Sequence, residues 1–225
     1  MAMRMACIRP APPTNPAMSK PRPFPSFSCF GRLRQYAAMA LLALMLAACG
    51  QSAPKFQNID ITGGSEFGKD FSLVDHHGKV RTLADFKGKA VVMFFGYTHC
   101  PDVCPTTLAE LKGVMEALGP DADRVQVLFV TVDPERDTQQ LLAQYVPAFD
   151  SRFLGMRPAD EAALQKVTKD FKVYYAKVPG TSPGNYTMDH SAGSYVFDPQ
   201  GRLRLFIRHG QGPEPIAHDL KLLLS

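Results

Sequence analysis

The stretch that decides the fold is Ala90–Gly96 (AVVMFFG) followed directly by Tyr97–Pro105 (YTHCPDVCP). Ala90–Gly96 is a continuous apolar run of strand length, which is typical of a central β-strand covered on both faces. Two cysteines, Cys100 and Cys104, come immediately after it. The pattern therefore places two sulfur atoms at the end of a buried strand.

The regions on either side alternate between helix and strand patterns. Apolar spacing predicts helices over 106–118, over 137–146, after Pro158 and after Pro213. β-prone runs predict strands over 125–132, 172–178, 193–197 and 202–207, and a hairpin over 70–75 and 79–83. We therefore predict an α/β, thioredoxin-like mixed sheet with helices on both faces and an added N-terminal β-hairpin.

The first 48 residues are interpreted as a leader and lipoprotein signal peptide. They hold six basic residues and no acidic one, and they end in 13 uncharged residues over 36–48. That run is too short to span a bilayer comfortably, which takes about 20 residues, but it fits a secretory signal. Small residues just before Cys49 resemble a bacterial lipobox, which predicts lipidation of Cys49. An uncleaved N-terminal anchor is the alternative, and both place the domain outside the cytosol.

The remaining chain predicts one exported domain on a tether. Residues 49–58 form the tether that carries Cys49, and residues 59–225 form the thioredoxin-like domain. We expect lipidated Cys49 to hold it to a bacterial membrane on the periplasmic side. Outside the leader, 19 basic residues face 21 acidic ones, so the charge gives no support for nucleic-acid binding.

Cys100 and Cys104 are the cysteines of this domain, since Cys7 and Cys29 lie in the leader. A proline follows each of the pair, so we expect the loop to end at Cys104 and Pro105 to lie in the first helical turn. A helix N-terminus lowers the pKa of a thiol, which predicts a thiolate-prone Cys104. A structural disulfide is the alternative, but so short a loop removes little unfolded-state entropy. The pair is therefore interpreted as a redox pair or as metal ligands.

His190 is the candidate third ligand. The segment 179–187 is rich in Gly, Pro, Ser and Asn and predicts a mobile loop that carries His190 to the cysteines. Two thiolates and one imidazole suit Cu(I), and small changes in such a set accommodate Cu(II). Zinc, which usually takes a fourth ligand, is the second choice. A histidine satisfied in the core or at the surface stays open as the alternative.

Three residues near these ligands receive supporting interpretations. Asp189 is expected to accept the other imidazole N–H, although neighbours along a strand often point to opposite faces. His99 adjoins Cys100 and competes with it as a ligand. Asp133 follows a predicted central strand at the same sheet edge as the cysteines, and the alternative there is a plain loop with a helix cap at Asp137.

Three blocks resemble the Sco/SenC family: Gly96–Pro105 (GYTHCPDVCP), Thr131–Thr138 (TVDPERDT) and Asp189-His190-Ser191. They occur in family order, and the resemblance spans about residues 60–222. It implies a thioredoxin-like fold that binds copper destined for the binuclear copper centre of cytochrome c oxidase. Carried over by position, Cys100, Cys104 and His190 are implied to be the copper ligands. Asp133 is implied to support metal release or partner contact.

Two functions follow from these observations. The first is a membrane-tethered copper chaperone that carries Cu(I) or Cu(II) and delivers it to the oxidase copper-centre subunit or another copper protein, or assists its assembly. The second is a thiol-disulfide oxidoreductase that keeps partner cysteines reduced through Cys100 and Cys104 and treats His190 as dispensable. Whether His190 is required discriminates between them.

Overall fold

A computed structural model describes residues 55–63, 68–182 and 185–225. The predicted leader and Cys49 lie outside the described residues. Within those three ranges, no helix has the length and apolar character that a membrane crossing requires.

The described residues form a mixed eight-stranded sheet, a separate two-stranded sheet and four α-helices. The eight-stranded sheet has the order β1-β10-β9-β4-β5-β6-β2-β3, and β7 pairs with β8 in the smaller one. The strands are β1 (Ile59–Asp60), β2 (Ser72–Asp75), β3 (Val80–Thr82), β4 (Ala90–Gly96), β5 (Val125–Thr131), β6 (Leu154–Arg157), β7 (Tyr175–Pro179), β8 (Tyr186–His190), β9 (Ser194–Phe197) and β10 (Leu203–Ile207). The helices are α1 (Val103–Leu118), α2 (Gln139–Tyr145), α3 (Glu161–Phe171) and α4 (Pro213–Leu224).

Strand β4 lies at the centre, parallel to β5 and antiparallel to β9, and all seven of its residues are buried. Side chains alternate between the two faces of a strand. The Phe95 ring meets that of Phe171 in α3 with centroids 5.5 Å apart. One residue on, a Cβ placed on Gly96 would point at Cys104 in α1. Helices α1 and α3 therefore cover opposite faces, and the predicted thioredoxin-like mixed sheet is confirmed.

The structure differs from the predicted elements at two places that matter for the site. Strand β6, which extends the sheet beyond β5, was not predicted. The segment predicted as a mobile loop over 179–187 contributes instead to a β-hairpin of β7 and β8, with Tyr175 opposite His190. The predicted strand over 172–178 corresponds to β7, whereas β6 and β8 were missed, because neither has the long apolar run that identified β4 and β5.

The end of the predicted tether is attached to the domain. The backbone N–H groups of Gln57 and Asn58 donate to the carboxylate of Asp219 in α4 at 2.8–3.0 Å. Asp219 is buried, and these bonds lower its pKa against the opposing effect of burial. Residues 57 and 58 are thus part of the folded unit rather than of a free tether.

Candidate metal centre

The cysteines lie on the corner between β4 and α1. Helix α1 begins at Val103, so Cys104 and Pro105 both lie in its first turn. The helix begins earlier than predicted because a proline is tolerated in the first turn, where its missing N–H would be unpaired in any case. Cys100 lies outside the helix, and its Sγ accepts the backbone N–H of Cys104 at 3.4 Å. Cys104 is buried, Cys100 is half-buried, and both are free thiols.

Gly96 makes room for the buried sulfur. A Cβ built on Gly96 would lie 2.8 Å from Cys104 Sγ, 2.9 Å from Phe129 and 3.0 Å from Phe94. Any larger residue would have to displace the thiol or a packed aromatic ring. This close approach was not predicted for Gly96. A glycine that closes a buried apolar run is the signal for such a close approach.

The prediction of a thiolate-prone Cys104 is wrong. Burial raises the pKa of the Cys104 thiol well above its usual range, and the neighbouring Cys100 adds to the rise. A helix N-terminus favours an anion by about 1 kcal/mol, whereas complete burial shifts a pKa by up to several units. Without a cation at hand, Cys104 therefore stays protonated at neutral pH.

His190 reaches the cysteines from the end of β8. Its Nε2 lies 3.5 Å from Cys104 Sγ, and its half-buried ring meets the rings of Phe94 and Tyr97 edge-on. Burial lowers the pKa of His190, which favours the neutral imidazole. Nδ1 lies 3.0 Å from the carbonyl oxygen of Ser191, so the proton of the neutral ring is assigned to Nδ1. The lone pair of Nε2 therefore faces the sulfur atoms.

Neither of the other two predicted neighbours joins this group. Asp189 is exposed, and the carbonyl of Ser191 occupies the position at Nδ1 of His190 that was predicted for it. His99 is exposed, and its Nδ1 lies 3.1 Å from Thr98 Oγ1. The predicted competition between His99 and the cysteines is therefore not seen in the geometry.

The three candidate ligand atoms can surround one ion. Cys100, Cys104 and His190 each offer one ligand atom, and all three atoms lie within 4.8 Å of one another. Metal–ligand lengths of about 2.3 Å to sulfur and about 2.0 Å to nitrogen place three such atoms about 3.5–4 Å apart. Small side-chain adjustments suffice to close the group around an ion. Two sulfurs and one imidazole nitrogen form a soft donor set.

Asp133 lies at the same sheet edge but outside the ligand group. Its buried carboxylate accepts Arg136 Nε at 2.5 Å and the hydroxyl of Tyr186 at 2.9 Å. Tyr186 begins β8, the strand that ends at His190. Asp133 thus connects the loop after β5 to the hairpin that carries the histidine.

Asp137 is not the helix cap of the alternative interpretation, because Thr138 caps α2 by accepting the N–H of Leu141. The buried carboxylate of Asp137 instead accepts the N–H and hydroxyl of Thr98 and the hydroxyl of Thr131, at 2.5–3.0 Å. Burial raises the pKa of Asp137. These bonds fix the segment before Cys100 to the end of β5. The sequence pattern at Asp137 indicated only a helix cap and did not predict this role.

Comparisons with known proteins find one family and several solved relatives. Residues 59–225 match the SCO1/SenC family. The chain is 45% identical to ScoI of Bradyrhizobium japonicum, solved with copper bound, over 69% of this chain and 98% of that one, with a TM-score of 0.63. It is 25% identical to a SCO1/SenC family lipoprotein from Bacillus anthracis, over 69% of this chain and 94% of that one, with a TM-score of 0.60.

The similarity extends to mitochondrial proteins. The chain is 41% identical over 154 residues to the mitochondrial SCO2 homolog of Bos taurus, which covers 68% of this chain and 58% of that protein. The match to the Mus musculus SCO2 homolog covers 60% of that protein. The chain therefore spans less than two thirds of the length of these relatives.

Proposed function

Because the chain belongs to the SCO1/SenC family, we propose that it is an exported copper carrier that holds one copper ion between Cys100, Cys104 and His190. Its proposed role is to deliver that ion to a copper protein, with the binuclear copper centre of cytochrome c oxidase as the leading candidate. The single observation that carries the proposal is the meeting of three soft ligand atoms within 4.8 Å.

The arrangement suits transfer better than permanent storage. Three protein ligands leave an open position at which a receiving protein can add a ligand before the first ones leave. Cys100 and His190 are only half-buried, so two of the three ligands are accessible from outside. Cys104 is buried and remains as the inner anchor. Metal binding then requires loss of the Cys104 proton, because thiolate is the ligating form.

Titration of the reduced protein with Cu(I) tests the proposal. We expect one equivalent to bind, with loss of tight binding in Cys100→Ala, Cys104→Ala and His190→Ala. His218→Ala is a matched control, because that histidine lies in α4 and contacts Asp219. Unchanged one-equivalent binding in both Cys100→Ala and His190→Ala would remove the metal role.

We further propose that lipid on Cys49 holds the protein to a bacterial membrane on its periplasmic side. The small residues before Cys49 support this, as does the likeness to the lipoprotein of Bacillus anthracis. Mass spectrometry of protein isolated from its own membrane should find an acylated N-terminal Cys49. We expect Cys49→Ala to remain unlipidated. An intact leader on membrane-bound protein would favour the uncleaved anchor instead.

A second candidate function, which we also propose, is reduction of a partner disulfide, favoured by one half-buried and one buried thiol in the free pair. Cys100 would attack the partner disulfide, and Cys104 would resolve the mixed disulfide. One partner disulfide is then reduced for each Cys100–Cys104 disulfide formed. In this reaction His190→Ala spares stoichiometric reduction of a disulfide substrate while it abolishes tight copper binding. Equal loss of both activities would argue against an independent reductase role.

A further inference from the structure

The β7–β8 hairpin, which carries His190, lies outside the central sheet. Among the strands that the structure describes, β7 and β8 pair only with each other, and the eight-stranded sheet resumes at Ser194, four residues after His190. Main-chain pairing with the large sheet therefore does not fix where β8 ends. The position of the histidine depends on side-chain contacts and on the short link to β9. At its own end of the hairpin, Met188 is buried and the His190 ring packs on Phe94 and Tyr97, and further contacts lie at the other end.

A cluster of three residues provides such contacts, and we call Asp133, Arg136 and Tyr186 the latch. The guanidinium carbon of Arg136 lies 3.5 Å from the centroid of the Tyr186 ring, and Nη1 donates to the backbone carbonyl of Tyr186 at 2.8 Å. The side chains of Arg136 and Tyr186 both donate to Asp133. Every member thus contacts the other two, and two of them lie on the loop after β5.

The latch is anchored to the rigid part of the molecule. Asp133 is 1% exposed, and its backbone N–H donates to Thr131 Oγ1 at the end of β5 at 3.0 Å. Arg136 also lies 5.8 Å from the ring of Tyr97, which in turn meets the ring of His190 at 5.9 Å. Charge-assisted bonds to a buried carboxylate are stronger than bonds between neutral groups.

A second link between the same loop and hairpin differs in burial. Lys177 in β7 pairs with Glu135, and both side chains are more than half exposed. Solvent screens such a pair, and exposed ion pairs contribute about 0–1 kcal/mol. The buried contacts of Tyr186 and Arg136 therefore dominate the attachment of the hairpin.

We propose that the latch is the positioning device of the copper site: Arg136 and Tyr186 hold the hairpin so that Nε2 of His190 stays within reach of the two sulfurs. The inference rests on the proposed copper-binding function and adds two positioning residues to it. When the latch opens, the hairpin swings His190 away and leaves a two-sulfur site. Retention of the ion by this protein thus depends on a contact that lies outside the ligand set.

The test compares Cu(I) affinities measured by competition with a chromophoric Cu(I) chelator. Tyr186→Phe removes one bond to Asp133, and Arg136→Lys keeps the charge but loses the planar stacking and paired geometry. We expect each to lower the affinity about 10-fold, as outer contacts of metal ligands typically do. Tyr175→Phe is the matched control, because it removes a hydroxyl of the same hairpin that donates to the exposed Glu161. We expect less than about a twofold change there.

A double-variant cycle separates positioning from general destabilisation. In the His190→Ala background, Tyr186→Phe and Arg136→Lys should cause no further loss of affinity, because the residue they position is gone. Hydrogen exchange should accelerate in β8 of Tyr186→Phe and stay unchanged in β4. A loss that persists in the His190→Ala background, or an equal loss in Tyr175→Phe, overturns the latch.

The outcomes also distinguish failure of the latch proposal from failure of the proposed copper-binding function. If His190→Ala lowers the affinity and both latch variants match the unmodified protein, the latch is refuted and the copper site stands. If His190→Ala itself leaves the affinity unchanged, the metal centre fails, and the latch fails with it.

Discussion

The two cysteines follow β4, a strand of seven buried residues at the centre of the sheet, whereas His190 ends β8, where only one of five residues is buried. The packed core therefore places the two sulfurs, whereas His190 lies on a strand outside the large sheet. If the proposed copper site and latch are correct, the hairpin is the part of the site that we expect to move during capture and release of an ion.

Hydrogen exchange should show the largest difference between the two halves. Amides of β4 and β5 are expected to open only with global unfolding, which costs about 5–15 kcal/mol in a typical domain. Amides of β8 should open at least about 3 kcal/mol more easily, because few buried contacts hold the hairpin. Native-state exchange followed by NMR measures both. Equal protection in β4 and β8 would show that the hairpin is as rigid as the core.

Gly96→Ala should destabilise the packing of β4 against Cys104 in α1. The added methyl group overlaps Cys104 Sγ and two buried rings, so we expect the free energy of unfolding to fall by about 1–3 kcal/mol and copper affinity to fall with it. Urea denaturation measures the first effect. Gly113→Ala is the control, because its methyl group meets only Pro213 at ordinary contact distance, 3.4 Å, within a helix that alanine favours. Wild-type stability in Gly96→Ala would show that the space between Gly96 and Cys104 Sγ is not tightly packed.

Copper affinity should depend on pH, because the buried sulfur must lose a proton to bind. Since burial raises the pKa of Cys104, its thiol is protonated across the neutral range and copper must displace the proton. His190 contributes little above neutral pH because burial lowers its pKa. Affinity should therefore rise with pH between 6 and 8, by about tenfold per unit for each proton released. A flat profile in that window would contradict the buried, protonated thiol.

The smallest effect concerns Asp137, which fixes the segment before the cysteines. Its folded-state pKa is raised, so the folded protein holds the proton more tightly than the unfolded chain, and stability is lost as pH rises above about 4. Asp137→Asn lacks this titration. Its unfolding free energy relative to wild type should therefore increase as pH rises, by less than the Gly96→Ala effect. Asp123→Asn, an exposed site, controls for the lost charge. A difference that decreases with pH would contradict the assignment.

Sequence reasoning succeeded where one strong pattern determines the structure. The apolar runs of β4 and β5 predicted the central strands, and the position of Cys100 and Cys104 just after β4 predicted the thioredoxin-like arrangement. Both predictions depend on buried strands, which are recognisable in the sequence as continuous apolar runs.

Prediction from the sequence failed where several weak contacts between distant parts of the chain determine the structure. Strand β8 has no apolar run, and its first residue, Tyr186, contacts Arg136 and Asp133, which lie about fifty residues away along the chain. The pKa of Cys104 depends on how deeply the first turn of α1 is buried, and a local rule about helix termini cannot supply that. Gly96 and Asp137 act through contacts that exist only in the folded protein.

The measurement that tests the central claim most directly is X-ray absorption of the Cu(I)-loaded protein beside Cu(I)-loaded His190→Ala. We expect two sulfur neighbours at about 2.3 Å and one nitrogen at about 2.0 Å in the first, with the nitrogen absent in the second. Identical spectra, or a copper ion bound by sulfur alone in the unmodified protein, would contradict it.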